Sequence, residues 1–287
     1  MLPCATKMPS GMLVVVGTPL GHREDLSPRA RATILRADLL FCEDTRSPVR
    51  LFGNEVELPP RRSCFVGNEH ERVPELLAAL GDGKTVVYIS EAGMPGWSDP
   101  GQRLVREAVA AGFAVDVVPG PTAAATAVVQ SGFATDEVRF VGFPARGGSE
   151  RTALFAGFAY ERATVVLYEA GNRVAALLRD LASALPDANA REIVVARELT
   201  KLHQEVLRGT VSSLSASTGD QQGEVTVVIA PATRTAPDPV REAARAVLDA
   251  VLDGSAKPRE RARRIAALTG LPARDVYRRL GAPDDGT

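Results

Sequence analysis

The sequence predicts an α/β protein built as two α/β domains with a small helical extension at the C-terminus. Three observations predict it. Apolar runs of strand length alternate with helical segments through the first half. After a Gly- and Arg-rich stretch at 140–151 the β runs crowd together, with one clear helix among them. From Pro239 onward the chain reads as three short helices split by "DGSAKP" and "TGLPA". These changes set the expected boundaries at 11–133, 134–231 and 238–281, with the Pro-containing "ATRTAPDP" as a linker.

The elements follow in order. "MLVVVG" (12–17) is one buried strand. "SPRARATILRAD" (27–38) is a helix with Ser27 as N-cap and Pro28 at its first position. "LLFCED" (39–44) is a strand ending in carboxylates. "RVPELLAALGDG" (72–83) places Val73, Leu76, Leu77 and Leu80 at helical spacing, with Gly81 as the stop. "KTVVYIS" (84–90) is a strand. "DPGQRLVREAVAAG" (99–112) reads as a helix with Asp99 as N-cap and Pro100 at N1. "FAVDVVPG" (113–120) is a strand and "PTAAATAVVQSG" (121–132) a helix of small residues. Further strands are expected in 163–171, 191–201, 202–211 and 223–231, and a helix in 172–185. Continuous apolar strands joined by helices call for a mostly parallel sheet covered on both faces.

Composition narrows the function. The 287 residues are 45% hydrophobic and 24% charged, with a net charge of −1. That balance does not announce a nucleic-acid-binding domain, although a local basic patch is compatible with it. Lys7, Lys84, Lys201 and Lys257 are the only lysines among 34 basic residues, so the arginine excess is a bias of the whole chain. No apolar run approaches the roughly 20 residues of a membrane span. With no secretory signal at the start, a cytoplasmic protein without membrane contact is expected. Cys4, Cys42 and Cys64 have no C-x-x-C spacing, and His22, His70 and His203 no i, i+4 pairing. No metal site is expected.

Ligands of open α/β sheets bind outside the carboxyl ends of the strands. Those ends are "VGTPLG" (16–21), "CEDTR" (42–46), "SEAGMPGWSDPG" (90–101) and "PGPTAAA" (119–125). Together they describe a crevice of backbone, small side chains and a few carboxylates. The chain lacks a P-loop, a G-x-G-x-x-G turn and a G-x-S-x-G elbow. Kinase, P-loop, dinucleotide and hydrolase readings therefore lose support.

These stretches, with "VLYEAGNRV" and "VARELTKLHQEVLRG", resemble the tetrapyrrole methylase superfamily. Within it they are similar to the family of 16S rRNA (cytidine-2'-O)-methyltransferases, from about Met12 to about Leu280. "RERARRIAALTGLPARDVYRRL" resembles that family's helical extension. The resemblance implies two α/β domains with an S-adenosylmethionine cleft between them, a homodimer, and 16S rRNA or the small ribosomal subunit as partner. Carried over by position, it implies cofactor contacts at Gly17, Thr18, Pro19 and Leu20. It implies others at Ser90, Glu91, Ala92, Gly93, Met94 and Pro95, at Thr122 and Ala123, and at Leu167, Tyr168 and Ala196.

The residues agree with this chemistry. Gly17, Gly93 and Gly120 permit close backbone approach. Glu91 can accept from a ribose or an ammonium, and Thr122 starts a helix whose N-terminus suits a carboxylate. Glu43, Asp44, Arg46 and Lys201 are the catalytic candidates, with Glu91 as a further possible base. Each has a plainer alternative. Glu43 and Asp44 can cap a helix or pair with Arg46, and Lys201 can be a solvated strand-end charge. Arg259, Arg261, Arg263 and Arg264 can meet rRNA phosphates, or form the polar side of a helix that buries Ala262, Ile265, Ala266 and Leu268.

The chain also departs from the family pattern. "EAGMP" (91–95) stands where Asp-Ala-Gly-Thr-Pro is usual. "SPVRLFGNEV" (47–56) is a shorter edge with Pro48. "GFPARGGSER" keeps Arg146 and Arg151 where a lysine is usual. Methylation of a small tetrapyrrole-like molecule, or cofactor binding without catalysis, therefore stays open beside rRNA methylation.

Overall fold

The computed structural model describes residues 11–54, 56–232, 239–253 and 256–280. Cys4 and most of the linker lie outside them. The chain forms two compact units, one up to Pro231 and one from Ala232 on.

The first unit holds two five-stranded sheets. β1 (Met12–Val16) leads through a 3-10 turn at Arg23–Asp25 to α1 (Pro28–Leu35), and then come β2 (Leu39–Cys42), α2 (Ser47–Phe52) and β3 (Arg61–Ser63). α3 (Glu69–Gly81), β4 (Thr85–Ile89), α4 (Gln102–Ala110), β5 (Ala114–Val118) and α5 (Ala123–Ser131) complete this half. The order β3-β2-β4-β1-β5 is parallel throughout. All five strands therefore deliver their carboxyl ends to one edge. Leu76, Leu80 and Leu104 of the helices pack on one face with Phe41 and Tyr88, and Ala30 and Ile34 pack on the other with Val14, Leu40 and Val87.

β6 (Val138–Gly142), α6 (Gly148–Gly157), β7 (Thr164–Ala170), α7 (Val174–Ala184), β8 (Glu192–Arg197), β9 (Glu205–Thr210), α8 (Val211–Ser217) and β10 (Glu224–Ile229) follow. Their sheet runs β6-β7-β10-β8-β9, with only the β6–β7 pair parallel. One face is covered by α6, α7 and α8 through Phe155, Leu177, Leu181 and Leu214. The other carries Val166, Val194 and Val228 against Ala124, Ala127 and Val128 of α5. A helix of small residues thus ties the two sheets together.

The second unit is α9 (Pro239–Leu252), α10 (Pro258–Thr269) and α11 (Ala273–Arg279), closed around Ala250, Ala262, Ile265 and Val276. The three expected tail helices are all present. Leu268, expected on their buried side, is 46% exposed.

Local signals read correctly at α1, where Ser27 accepts from the Ala30 N–H at 3.0 Å. They misled at α4. The helix starts at Gln102 with Gly101 as N-cap at φ +116, so Asp99 does not cap it. The reason is tertiary. Gly101 N–H donates to Glu69 Oε1 at 2.8 Å, and a Cβ there would lie 2.3 Å from Tyr88 Cε1. The short strands β3 and β6 and the helices α2, α6 and α8 had no sequence signal strong enough to be expected.

Candidate functional site

Two cavities open at the carboxyl edge of the first sheet. The loops after β1 and β4 are cross-linked there. Thr18 N–H donates to Gly93 O at 2.9 Å and Gly93 N–H to Thr18 O at 3.1 Å. The loops after β1 and β5 also touch, backbone to backbone. A Cβ on Gly17 would lie 2.6 Å from Gly120 Cα, and one on Gly120 2.7 Å from Gly17 Cα. These two glycines are needed for loop-to-loop approach, which is a different reason from the close ligand approach expected of them. Met94 seals the junction, its Sδ accepting from Gly120 N–H at 3.2 Å.

The first cavity, about 220 Å³, lies between these loops and the second sheet. Leu20, Ala92, Gly93, Met94, Thr122, Ala123 and Tyr168 line it, seven of the positions carried over from the family pattern. Ser98, Asp99, Phe143, Glu169, Glu224 and Thr226 line it too and were not expected, and Trp97, whose sequence context suits either a loop anchor or a cleft wall, lines it as well. Trp97 stacks on Phe140 at 5.1 Å between ring centroids, so it anchors its loop while walling the cavity. Ser98, before Asp99, sits at φ +58, a left-handed conformation that a serine adopts at some cost. Burial pushes the Asp99 carboxyl up to about 7, the charge of Glu43 adds to the rise, and the Ser90 hydroxyl opposes it.

The helix N-terminus behind Thr122 is less available than expected. Ala125 N–H is taken by Thr122 Oγ1 at 3.2 Å and Ala124 N–H by Tyr168 Oη at 3.1 Å.

The second cavity, about 200 Å³, is polar. Thr18, Pro19, Ser90 and Glu91 line it, together with Leu20, which both cavities share. Gly21, Arg23, Ser47 and Arg50 complete much of its wall. Gly17, at the loop junction, and Pro95, Leu167 and Ala196 line neither cavity. Pro95 lines an apolar hollow with Val15 and Val105. Leu167 points into the core on the far face of the second sheet, and Ala196 is buried under α5. Their side chains reach neither cavity.

The catalytic candidates separate by environment. Asp44 is clasped by Arg46 through Nε at 3.0 Å and Nη2 at 2.8 Å and accepts the Arg46 N–H at 2.8 Å. This clasp holds its carboxyl down at about 2, which makes it a poor proton acceptor and commits Arg46 to it. Glu43 accepts the Glu91 N–H at 3.0 Å. Burial raises the Glu43 pKa, and the Glu91 bond only partly offsets this. Lys201 bridges Glu198 at 2.9 Å and Glu224 at 3.0 Å. Burial disfavours its charge, but those two bonds win and raise its pKa. Its stem packs where a Gly21 side chain would be. Lys201 is thus a strut between the β8–β9 turn and the cavity rim.

Arg151 is 3% exposed, bonded to Asp180 at 2.7 Å and facing Glu169 at 3.5 Å, so it is a scaffold residue. Arg146 is exposed. In the second unit Arg261 bonds Val251 O and Arg264 pairs with Asp253 and Glu260, while Arg259 and Arg263 are exposed. The two readings of this arginine row thus divide between its members. Among the described residues no group of three or more His, Cys, Asp or Glu is arranged to hold a metal ion, and no helix is long and apolar enough to cross a membrane.

Residues 12–215 match the family model of tetrapyrrole (corrin/porphyrin) methylases. The chain is 38% identical over 270 residues to the ribosomal RNA small subunit methyltransferase I of Synechocystis, covering 93% of this chain and 96% of that protein. The chain belongs to the tetrapyrrole methylase family, among the ribosomal RNA small subunit methyltransferases I. The Thermotoga maritima member is 40% identical over 221 residues, 98% of its own length and 76% of this chain. That member matches almost completely without a counterpart for about a quarter of this chain.

Solved tetrapyrrole methylases share the fold. The methyltransferase CobJ superposes with a TM-score of 0.61 at 20% identity, covering 79% of this chain and 98% of CobJ. A uroporphyrin-III C-methyltransferase from Thermus thermophilus, complexed with S-adenosyl homocysteine, gives 0.54 at 17%, covering 76% of this chain and 96% of that one.

Proposed function

We propose that the protein is an S-adenosylmethionine-dependent methyltransferase acting on 16S rRNA in the small ribosomal subunit, at the ribose 2'-hydroxyl of a cytidine. The observation that carries this is a cavity with aromatic and acidic walls at the strand-end loops, in a chain that matches a named rRNA methyltransferase over 93% of its length. The walls fit the cofactor. Tyr168, Phe143 and Trp97 offer flat apolar surface for a base, and Asp99, which has no ion-pair partner among the described residues, offers a carboxyl to cationic groups. When bound, S-adenosylmethionine supplies the methyl group.

The chain's own residues do the rest. Leu20, Gly93, Met94, Thr122, Ala123 and Tyr168 hold the cofactor. Placement in line is most of the catalysis, and a positioned base adds to it. Of the candidate bases Glu43, Asp44 and Glu91, Glu43 is the preferred proton acceptor, because burial raises its pKa and no cation pairs with it among the described residues, whereas Arg46 clasps Asp44 and Arg50 approaches Glu91.

The reading extends to organisation. Domains 11–133 and 134–231 meet at the cavity, and 238–281 forms the helical extension, with Arg259 and Arg263 available to phosphates. A second copy of the chain covers the apolar groove of Val128, Val129, Val138 and Phe140 as a homodimer. Val129 is 79% exposed in the single chain. The protein works in the cytoplasm.

The test uses radiolabelled S-adenosylmethionine and small subunits from a strain lacking the homologous enzyme. Label mapped to one ribose supports the reading. Transfer to a tetrapyrrole but not to subunits points to the small-molecule alternative, and cofactor binding with no transfer to the non-catalytic one.

A further inference from the structure

The polar cavity carries five of the expected cofactor positions, Thr18, Pro19, Leu20, Ser90 and Glu91, but Arg23, Ser47 and Arg50 on its wall belong to no expected cofactor contact. It shares Leu20 with the first cavity, and the loop Ser90–Met94 passes from one to the other. Its wall comes partly from α2, the edge where the chain departs from its family's pattern. Two α2 residues, Ser47 and Arg50, face Glu91 there. Ser47 Oγ donates to Glu91 Oε1 at 3.1 Å, and Arg50 Nη2 donates to Ser47 Oγ at 2.7 Å.

Arg50 is only partly used. Among the described residues its side-chain hydrogen bond and ion pairs run through Nη2, including the longer approaches to Asp44 at 3.6 Å and Glu91 at 3.7 Å. Its Nε and Nη1 have no partner among the described residues. Asp44 is turned to Arg46, which leaves Arg50 the weaker share of that carboxylate. Arg23 lines the same cavity, is exposed, and its side chain has no partner among the described residues. The cavity therefore holds two guanidiniums with donors to spare, and a hydroxyl and carboxylate suited to sugar hydroxyls. Guanidinium forks match phosphate oxygens.

We propose that this polar cavity binds the target nucleotide's sugar-phosphate, with Arg50 and Arg23 holding the phosphodiester beside the methylated ribose and Ser47 and Glu91 facing the sugar. The proposal rests on the rRNA reading above and gives that reading its substrate-side contacts. Arg50 and Arg23 act by positioning, so their loss raises KM far more than it lowers kcat.

Two measurements test it. The first is calorimetric binding of cytidine 3'-monophosphate to the full chain saturated with S-adenosylhomocysteine, with inorganic phosphate as the comparison. The wild type is expected to bind the nucleotide more tightly than phosphate. Arg50→Gln and Arg23→Gln are each expected to weaken it about 10- to 100-fold, the size of a lost charge-assisted contact. Their affinity for S-adenosylhomocysteine should stay unchanged, which also reports that they are folded.

The second is methyl transfer to small subunits at several salt concentrations. Arg50→Gln should raise KM by a similar factor and reduce the salt slope of kcat/KM by about one. Nucleotide binding that is absent, no tighter than phosphate, or equal in the variants overturns the proposal, as does an unchanged KM and salt slope. Arg50-dependent nucleotide binding with no transfer to subunits by the wild type instead overturns the rRNA reading and leaves the sugar-phosphate site standing.

Discussion

Buried carboxylates meet different fates at the edges of the two sheets. Glu169, at the end of β7, is 1% exposed and lies between Arg151 and Arg173. Glu43 and Asp99, at the edge of the first sheet, are partly buried with no ion-pair partner among the described residues, and both have raised pKa values. The same chemical group is scaffold where a guanidinium neutralises it, and is poised to exchange a proton or meet a cation where none does. The second sheet therefore supplies a fixed wall, and the first sheet supplies the charges that respond to a ligand.

The largest effect should come from breaking the paired side. Arg151→Ala leaves Glu169 buried with one partner fewer and is expected to cost about 3–5 kcal/mol, read from the urea midpoint. A loss below about 1 kcal/mol would mean that the pair is not holding the wall.

Next comes the glycine contact that brings the first sheet's strand ends together. Gly17→Ala forces a Cβ into Gly120 and should destabilise by about 1–3 kcal/mol while weakening cofactor binding. Stability and cofactor affinity should fall together, and a variant that keeps wild-type affinity would separate the contact from the cavity.

Asp99 should behave in the opposite way to Arg151. Its folded pKa of about 7 lies above the unfolded value of about 3.9, so the folded state holds the extra proton between them. Wild-type stability therefore falls as pH rises across that window and levels off above about 7. Glu43, Glu91 and Glu224 add negative charge around Asp99, and Ser90 is the group that favours its ionised form. Asp99→Asn should remove this fall and be no less stable than wild type at pH 8 or so. Binding of the cationic cofactor should tighten as pH rises toward about 7 in the wild type and stay flat in the variant, as read by calorimetry. Destabilisation as large as that of Arg151→Ala would erase the distinction between the two edges.

The smallest effect belongs to Asp44→Asn. Its clasp with Arg46 is exposed, so no change in unfolding midpoint is expected, and methyl transfer should fall far less than for Glu43→Gln. Equal losses in the two variants would return Asp44 to the list of proton acceptors.

The sequence by itself determined the alternation of strands and helices, the Ser27 cap, the glycine-bearing strand ends and the three tail helices. Those follow from local rules: side-chain period, capping chemistry and the backbone freedom of glycine. Six of the cavity's lining residues, Leu20, Ala92, Gly93, Met94, Thr122 and Ala123, follow strand ends of the parallel sheet, whereas Tyr168, inside β7, could be named only from the family resemblance. Glu224 could be named from neither. It begins β10, and it reaches the site because β10 runs antiparallel to β7, with Glu224 opposite Ala170. A rule about carboxyl ends of strands passes over the amino end of such a strand. Asp99 was masked by its resemblance to a helix cap, and the packing of Gly101 against Tyr88 decided otherwise. Leu167 and Tyr168 are neighbours in the chain, yet only Tyr168 reaches the cavity, because successive strand residues point to opposite faces. Only the tertiary structure decided which carboxylates keep a cation. Proton affinity depends on burial and on partners distant in sequence, such as Arg151 beside Glu169, and no local pattern records either.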